Sequence, residues 1–184
     1  MPRKALMAVL ATIVLLAVPS AMVPAQASTL PSEDQWRTDV RHAMRGSQNY
    51  VQNRSARGGG QLAVNFDIDN TTLASHYEPG QPVTRVLRFA KYAHSLGIKL
   101  LFNTARTGNL SKAKSALTRA GYAVAEMCGR NKGEAIDHSK QRCRQHFVDQ
   151  GYTIVANVGN RSTDFVGGNY ERAYRLPNYG DQLT

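Results

Sequence analysis

Residues 61–72 read QLAVNFDIDNTT, and this stretch decides the fold. Its first six residues are largely apolar and lead directly into acidic residues, which predicts a buried strand over residues 61–66. Asp67 and Asp69 then leave this strand at its carboxyl end. Two like charges at such a place are costly unless a cation or a proton offsets them. The stretch predicts a strand that delivers two carboxylates to one edge of a sheet, and the alternative for the isolated pair is an ordinary turn.

Strands and helices alternate through the rest of the chain. Apolar runs predict further strands over residues 99–102, 123–127 and 153–158, with residues 172–176 as a candidate fifth. Between them, apolar residues recur at helical spacing over residues 83–97, 110–120 and 138–150, and a glycine ends each pattern. This alternation predicts an α/β fold with a mostly parallel sheet, helices on its faces and right-handed crossovers.

A helical segment precedes this region. Residues 32–35, Ser-Glu-Asp-Gln, have the pattern of a capping box that opens a helix. Trp36, Val40 and Met44 continue it at helical spacing, and a single helix is expected to end before the glycine run at residues 58–60. We interpret Trp36 as the residue that packs this helix on the core, and the glycine run as a flexible joint.

The N-terminus has the layout of a secretory signal peptide. Arg3 and Lys4 precede an apolar run over residues 8–18, and a small-residue cleavage box, Ala-Gln-Ala, follows at residues 25–27. The run is shorter than the roughly 20 residues that span a membrane, so no stable span is expected after cleavage. The alternative is an uncleaved anchor. The pattern predicts secretion, into the extracellular space or the periplasm.

The length of 184 residues fits one domain with an appendage. We divide the chain into a signal peptide (1–27), a helical segment with a glycine-rich joint (28–60) and one α/β domain (61–184). The formal net charge of +10 admits nucleic acid, anionic surfaces and phosphorylated compounds as partners. Only 8% of the residues are aromatic and none interleave with a basic run, so nucleic acid is not expected. Nothing in the sequence indicates an oligomeric state.

The two cysteines, Cys128 and Cys143, both lie in the α/β domain. Export would place them in an oxidising compartment, where they could close a short loop as a disulfide. Two free buried thiols are the alternative, because the sequence does not give the distance between their Cα atoms.

Polar residues follow the other strands as well. Thr104 and Arg106 come after the second strand, Asp164 comes after the fourth, and Lys140 lies near the start of the preceding helix. Ligands of parallel sheets bind at this edge, where a hydroxyl and a guanidinium can hold a phosphoryl group. Carboxylate oxygens there suit a hard cation such as Mg²⁺. Singly, these residues are a turn hydroxyl or a solvated lysine; their order along the chain favours a site.

Three segments carry a resemblance to a known family: FDIDNTT (66–72), FNTAR (102–106) and GYTIVANVGNRSTDFVGG (151–168). In these motifs the chain resembles the haloacid dehalogenase (HAD) superfamily. Within it, the chain is similar to the secreted, class B-like acid phosphatases related to plant vegetative storage proteins. The resemblance implies a three-layer Rossmann-like fold. The stretches between the motifs are too short for a separate cap domain, so a minimal cap is expected.

The resemblance also implies a mechanism for hydrolysing small phosphomonoesters. Asp67 would be the nucleophile that forms an aspartyl-phosphate, and Asp69 would protonate the leaving alcohol and then activate water. Thr104 and Lys140 would bind the phosphoryl group, and Arg106 is a further phosphate-binding candidate.

The implied cofactor is Mg²⁺, held by Asp67, the backbone carbonyl of Asp69 and Asp164. Many superfamily members carry an aspartate directly after the glycine of the fourth motif, where this chain has Asn160. A neutral amide there would weaken metal binding or leave Asp164 as the main ligand.

Two questions stay open at this level. Lys132 is the rival to Lys140, which we prefer because its helix leads into the fourth strand and because Arg144 follows four residues later, as in the family.

The alternative function is a non-catalytic protein on the same fold, for storage or for binding phosphorylated ligands. The presence of all the implied catalytic side chains argues for the enzyme.

Overall fold

The computed structural model describes residues 30–183, so the predicted signal peptide lies outside the described residues. Among the helices of this part of the chain, none is long and apolar enough to cross a membrane.

Within residues 30–183 the chain forms five α-helices, five β-strands and one short 3-10 helix. In chain order these are α1 (Glu33–Ala43), α2 (Ser47–Ala56), β1 (Gln61–Phe66), α3 (Thr84–Ser95), β2 (Lys99–Thr107), α4 (Ser111–Arg119), β3 (Val124–Arg130), α5 (Ile136–Asp149), β4 (Tyr152–Gly159), the 3-10 helix (Ser162–Phe165) and β5 (Ala173–Arg175).

The strands form one sheet in the order β3-β2-β1-β4-β5, and every neighbouring pair is parallel. The predicted α/β class and parallel sheet are therefore confirmed. The chain runs from β1 outward through β2 and β3, then returns to the other side of β1 with β4. The strand order thus switches between β1 and β4, where ligands of such sheets bind beyond the carboxyl ends of the strands.

The helices cover both faces of the sheet, which gives three layers. Val64 and Phe66 of β1 lie in one apolar cluster with the buried residues of α1 to α4. The neighbouring Ala63 belongs to a second cluster with Phe147 of α5. Successive strand residues point to opposite faces, so this division follows from the alternation along β1.

The N-terminal segment differs from the single helix that its spacing predicts. Gly46, with a φ of +74°, separates α1 from α2. Glycine takes this left-handed conformation without steric cost, and the change of direction ends the first helix. Trp36 is fully buried and its ring stacks on Tyr77 at 4.9 Å, so it packs α1 on the core as interpreted.

β2 and β3 are longer than their apolar runs. β2 continues to Thr107, because Asn103 and Thr104 pair with Cys128 and Gly129 of β3.

Between β1 and α3, residues 67–83 contain turns and isolated bridges but no helix or strand. The sheet edge beyond β1 therefore carries a minimal cap.

A disulfide joins Cys128 of β3 to Cys143 of α5, with their Cα atoms 5.5 Å apart. It ties one edge of the sheet to the helix that carries Lys140.

Candidate active site

Asp67 follows the last residue of β1 and is buried at the carboxyl edge of the sheet. Its backbone N–H donates to the carbonyl of Val158 in β4 at 2.9 Å, so the hydrogen-bond ladder of the sheet positions its Cα. The chain then turns at Asn70, which adopts a φ of +56°. The central strand thus presents the Asp67 carboxylate at the place where the strand order switches.

Lys140 of α5 brings its ammonium group to this carboxylate. Nζ donates to Oδ1 of Asp67 and to the backbone carbonyl of Asn103, the latter at 2.8 Å. The Asn103 side chain in turn donates to the backbone carbonyl of Lys140 at 2.7 Å. These two hydrogen bonds between Asn103 of β2 and Lys140 of α5 fix the position of the lysine at the sheet edge. The rival Lys132 is exposed to solvent.

Asp164, in the 3-10 helix after β4, is the second buried carboxylate. Its Oδ2 accepts from the backbone N–H groups of Asn160 and Arg161 at 3.1 and 2.9 Å, and its Oδ1 lies 2.7 Å from Nζ of Lys140. A Cβ at Gly159 would come within 2.5 Å of the Asp164 carboxylate, so only glycine leaves room for this approach.

Arg144, one turn after Lys140 on α5, secures the loop that carries Asp164. Its guanidinium is fully buried and donates to the backbone carbonyls of Asp164, Val166 and Gly168. Three carbonyl acceptors for one guanidinium hold the 3-10 helix against α5. The arginine therefore acts on the site through the position of Asp164.

The site has a surplus of negative charge. One ammonium group faces two buried carboxylates. Burial, reinforced by the charge of Asp164, raises the pKa of Asp67 to about 6 despite the attraction of Lys140. Burial alone would lower the pKa of Lys140, but the two carboxylates raise it above its ordinary value. The lysine stays charged, and the pair of carboxylates can accept a further cation.

Asp69 lies in a more open position and is paired with Arg106. The guanidinium donates from Nε to Oδ2 at 3.0 Å and from Nη2 to Oδ1 at 2.6 Å, and Ser75 Oγ donates to Oδ1 at 2.7 Å. Burial raises the pKa of Asp69, but the hydrogen bonds from Arg106 and Ser75 outweigh it and hold the pKa below its usual range. Arg106 thus contacts the carboxylate for which the resemblance implies acid–base chemistry.

Thr104 is buried in β2, where its Oγ1 accepts from the backbone N–H of Arg106 at 3.2 Å. The hydroxyl therefore helps to hold the backbone that carries Arg106.

A cavity of about 170 Å³ lies over these groups. It is lined by Asp67, Asp69, Ala105, Ile136, Lys140, Arg161, Thr163 and Leu183.

The sequence matches the family described as HAD superfamily, subfamily IIIB (Acid phosphatase), over residues 78–182. The chain belongs to this family. It is therefore a phosphomonoester hydrolase. The matched region begins after Asp67 and Asp69 and includes Thr104, Arg106 and Lys140.

Solved structures resemble this phosphatase in fold. The class C acid phosphatase from Bacillus anthracis with tungstate bound superposes with a TM-score of 0.64 at 18% identity, covering 80% of each chain. A second structure of the class C acid phosphatase from Bacillus anthracis gives 0.62 at 17% identity, with the same coverage. No curated protein shows significant sequence similarity. The structural likeness supports the HAD fold.

The phosphatase brings together the residues that its motifs single out. Asp67, Asp69 and Lys140 line one cavity, and Asp164 contacts Lys140. Thr104 lies in the adjoining strand but does not line the cavity.

Sequence reasoning missed several cavity residues of the phosphatase. Arg161 and Thr163 lie inside the fourth motif, so their position next to Asp164 could have drawn attention to them. Leu183 had no such signal, because the packing of the C-terminal segment brings it to the cavity. It is fully buried and belongs to the main core cluster as well. One wall of the cavity is therefore apolar.

The Asn160 side chain contacts two other segments of the chain. Its Oδ1 lies 3.4 Å from Thr71 Oγ1 and its Nδ2 lies 3.4 Å from Asn178 Oδ1. Only its backbone N–H contacts Asp164. The amide therefore joins the segment that follows β1 to the C-terminal segment of the phosphatase.

Phosphatases of the HAD superfamily generally use Mg²⁺. Within residues 30–183, no three His, Cys, Asp or Glu side chains cluster in a way that could hold a metal ion. Mg²⁺ is commonly held by only one or two carboxylates, with water and phosphate oxygens completing its shell. Asp67 and Asp164 supply two buried carboxylates that share one ammonium. The donor chemistry and the charge balance of the phosphatase therefore fit this ion.

Proposed function

We propose that this protein is a secreted, Mg²⁺-dependent acid phosphatase that hydrolyses small phosphomonoesters through an aspartyl-phosphate on Asp67. The contact of Lys140 with Asp67 Oδ1, in a cavity that Asp69 also lines, is the observation that carries the proposal. A buried lysine beside a buried carboxylate favours the ionised form, which is the form that attacks.

In the first step, the Asp67 oxygen that does not face Lys140 attacks phosphorus. The bond from Asp67 to phosphorus forms as the bond to the leaving alkoxide breaks. Asp69, in its protonated form, gives its proton to that alkoxide, so the alcohol leaves neutral. Protonation of Asp69 weakens its ion pair with Arg106. The Arg106 guanidinium then donates to the substrate phosphate.

In the second step, water attacks the phosphorus of the aspartyl-phosphate. Asp69, now ionised, takes a proton from that water, and the bond between phosphorus and Asp67 breaks. Inorganic phosphate is released and both aspartates return to their starting states. Lys140 offsets negative charge on the phosphoryl oxygens in both steps.

Asp67, Asp164 and the backbone carbonyl of Asp69 are the groups that would hold Mg²⁺. When bound, the ion supplies positive charge that shields the approach of a carboxylate to a phosphate dianion. The buried Asp164 carboxylate accepts hydrogen bonds from the backbone N–H groups of Asn160 and Arg161, and Arg144 holds the Asp164 backbone carbonyl. This ligand therefore does not depend on substrate for its orientation.

Secretion is supported by the signal-peptide pattern of residues 1–27 and is compatible with the disulfide between Cys128 and Cys143. The exported form recovered from culture medium or periplasm should begin at Ser28, as measured by intact mass. Recovery of the full-length chain in the membrane fraction would instead show that the segment is retained as an anchor.

Trapping of the covalent intermediate tests the proposed mechanism. The full chain is mixed with a radiolabelled phosphomonoester and Mg²⁺, quenched in acid and treated with hydroxylamine, which cleaves acyl phosphates. We expect label on the wild-type protein that hydroxylamine releases, and none on Asp67→Asn. Turnover should stop when EDTA removes the metal and return with Mg²⁺. Rapid turnover without any trapped label, or full turnover in EDTA, would contradict the proposal.

A further inference from the structure

A second cavity, of about 330 Å³, lies between α1 and the start of α3. It shares no lining residue with the cavity over Asp67. Its lining consists of four arginines, two valines and one threonine: Arg37, Val40, Arg41, Val83, Thr84, Arg85 and Arg88. Two sequence-distant segments thus direct their basic residues to one concave surface.

The arginines of this cavity are poorly compensated by acidic residues. Arg37 is paired with Glu33, at 2.6 Å, and with Glu78. The other three guanidinium groups make no ion pair within residues 30–183: those of Arg41, Arg85 and Arg88. No acidic residue occurs along the sequence between Glu78 and Glu126. The cavity therefore holds three positive charges without a carboxylate partner.

Arg85 has a buried donor without an acceptor. Its guanidinium donates to the backbone carbonyl of Met44 at 3.3 Å, but its Nε is buried and has no hydrogen-bond partner among the described residues. Among the described residues, the Arg85 guanidinium therefore has one backbone acceptor and no carboxylate partner.

The N-terminus of α3 adds to the positive potential. Val83, its N-cap residue, lines the cavity and offers no side-chain cap to the first turn, whose next residue, Thr84, lines the cavity too. The first N–H groups of an α-helix lack partners inside the helix and carry partial positive charge. Val83 and Thr84 thus line the same cavity as the three guanidinium groups that make no ion pair within residues 30–183.

We propose that this cavity is a second anion site, which binds a ligand with two linked phosphoryl groups. One phosphate ester carries about −1.5 to −2 charges near neutral pH, so three uncompensated guanidinium groups match two phosphoryl groups better than one. The planar guanidinium fork suits phosphate oxygens. The volume lies in the range of small-molecule sites.

Calorimetric titration of the full chain with methylenediphosphonate tests this proposal, because the probe has no phosphoester bond to hydrolyse. The variant Arg41→Gln/Arg88→Gln removes two exposed members of the cavity and should fold normally. The matched control Lys112→Gln/Arg119→Gln removes two exposed charges from α4. EDTA is present throughout, so that no metal bridges the probe to the active site.

We expect the cavity variant to weaken binding by about tenfold and the α4 control by less than about twofold. Equal weakening in both variants would show that only overall charge matters, and unchanged binding in the cavity variant would show that the probe binds elsewhere. Either result overturns the proposal. Inorganic phosphate should bind at least tenfold more weakly than the probe; equal affinity would overturn the preference for two phosphoryl groups.

A second titration distinguishes an inorganic diphosphate from an organic diphosphate as the ligand. If α,β-methylene-ADP binds no more tightly than methylenediphosphonate, the ligand is an inorganic diphosphate. If it binds several-fold more tightly, the ligand is an organic diphosphate. Binding of neither probe to the wild-type chain overturns the proposal as a whole.

Discussion

Asp69 and Arg106 form a two-pronged ion pair, with Nε donating to Oδ2 at 3.0 Å and Nη2 donating to Oδ1 at 2.6 Å. Asp69 lines the same cavity as Asp67. The ion pair lowers the pKa of the aspartate for which we propose acid–base catalysis. A general acid must be protonated to act, so we expect the pair to shift the alkaline limit of activity to lower pH.

Replacement of this guanidinium should therefore shift the pH profile. In Arg106→Gln the pKa of Asp69 rises towards its ordinary value, so the fall of kcat/KM at the alkaline side should move to higher pH. KM should also rise, because a phosphate-binding group is lost. The profile is measured with p-nitrophenyl phosphate, with the exposed Arg119→Gln as control. If the alkaline fall of kcat/KM stays at the same pH or moves to lower pH, Arg106 does not lower the pKa of the general acid.

Lys140→Met should remove most activity and destabilise the protein. Loss of one partner leaves the carboxylates of Asp67 and Asp164 buried without their cation, at a cost of about 3–5 kcal/mol when both are ionised. A carboxyl group whose folded pKa is raised destabilises the protein progressively between its unfolded and its folded pKa, so the loss is complete near the folded pKa. The pKa of Asp67 is already about 6 with the lysine present, and it rises further in the variant.

The deficit in unfolding free energy should therefore be small near pH 4 and grow above pH 6, as measured by urea denaturation. Lys132→Met, at an exposed lysine, should change stability by less than about 0.5 kcal/mol. A deficit that does not depend on pH, or one shared by both variants, would mean that Lys140 does not neutralise these carboxylates.

Asn160→Asp should strengthen metal binding. A carboxylate replaces a neutral amide one residue from Gly159, beside the backbone that contacts Asp164. Added negative charge raises affinity for a hard divalent cation, so half-maximal activation should occur at about tenfold lower Mg²⁺. Asn53→Asp, at an exposed position on α2, is the control for overall charge. If both variants respond alike, Asn160 does not border the metal site.

Removal of the disulfide should cost stability but leave the chemistry in place. Cys128 and Cys143 are separated by 15 residues, for which loop closure predicts about 3 kcal/mol. Cys128→Ala/Cys143→Ala should therefore unfold at lower urea, while kcat at low temperature stays within about threefold of wild type. A reductant should lower the stability of the wild-type protein to urea and leave the stability of the variant unchanged. Equal stability of variant and wild type would show that α5 does not need this tie.

Much of the fold was predictable because apolar periodicity and parallel topology are local signals. The strands of a parallel sheet end at one edge, so side chains that follow them in sequence meet in space. The contact of Lys140 with Asp67 follows from this rule, although the two are 73 residues apart. Arg106 was singled out for phosphate, while its pairing with Asp69 depends on side-chain geometry.

Other features depend on tertiary packing and had no sequence signal. The spacing of Trp36, Val40 and Met44 leads up to Gly46 without indicating that the helix ends there. The left-handed φ of Gly46 in the structure shows the break between α1 and α2. The extension of β2 to Thr107 uses polar residues that pair with β3 and lack apolar alternation. Leu183 reaches the cavity because the C-terminal segment folds back onto the core.

The central claim is that Asp67 is the nucleophile, and its most direct test is the turnover of p-nitrophenyl phosphate by Asp67→Asn with Mg²⁺. The substitution keeps the shape of the side chain and removes its charge. Asp34→Asn, exposed on α1, is the matched control, and thermal unfolding of both variants shows that they are folded. We expect kcat to fall by at least about 10³-fold in Asp67→Asn and to stay at the wild-type value in the control. Wild-type turnover by folded Asp67→Asn would contradict the account.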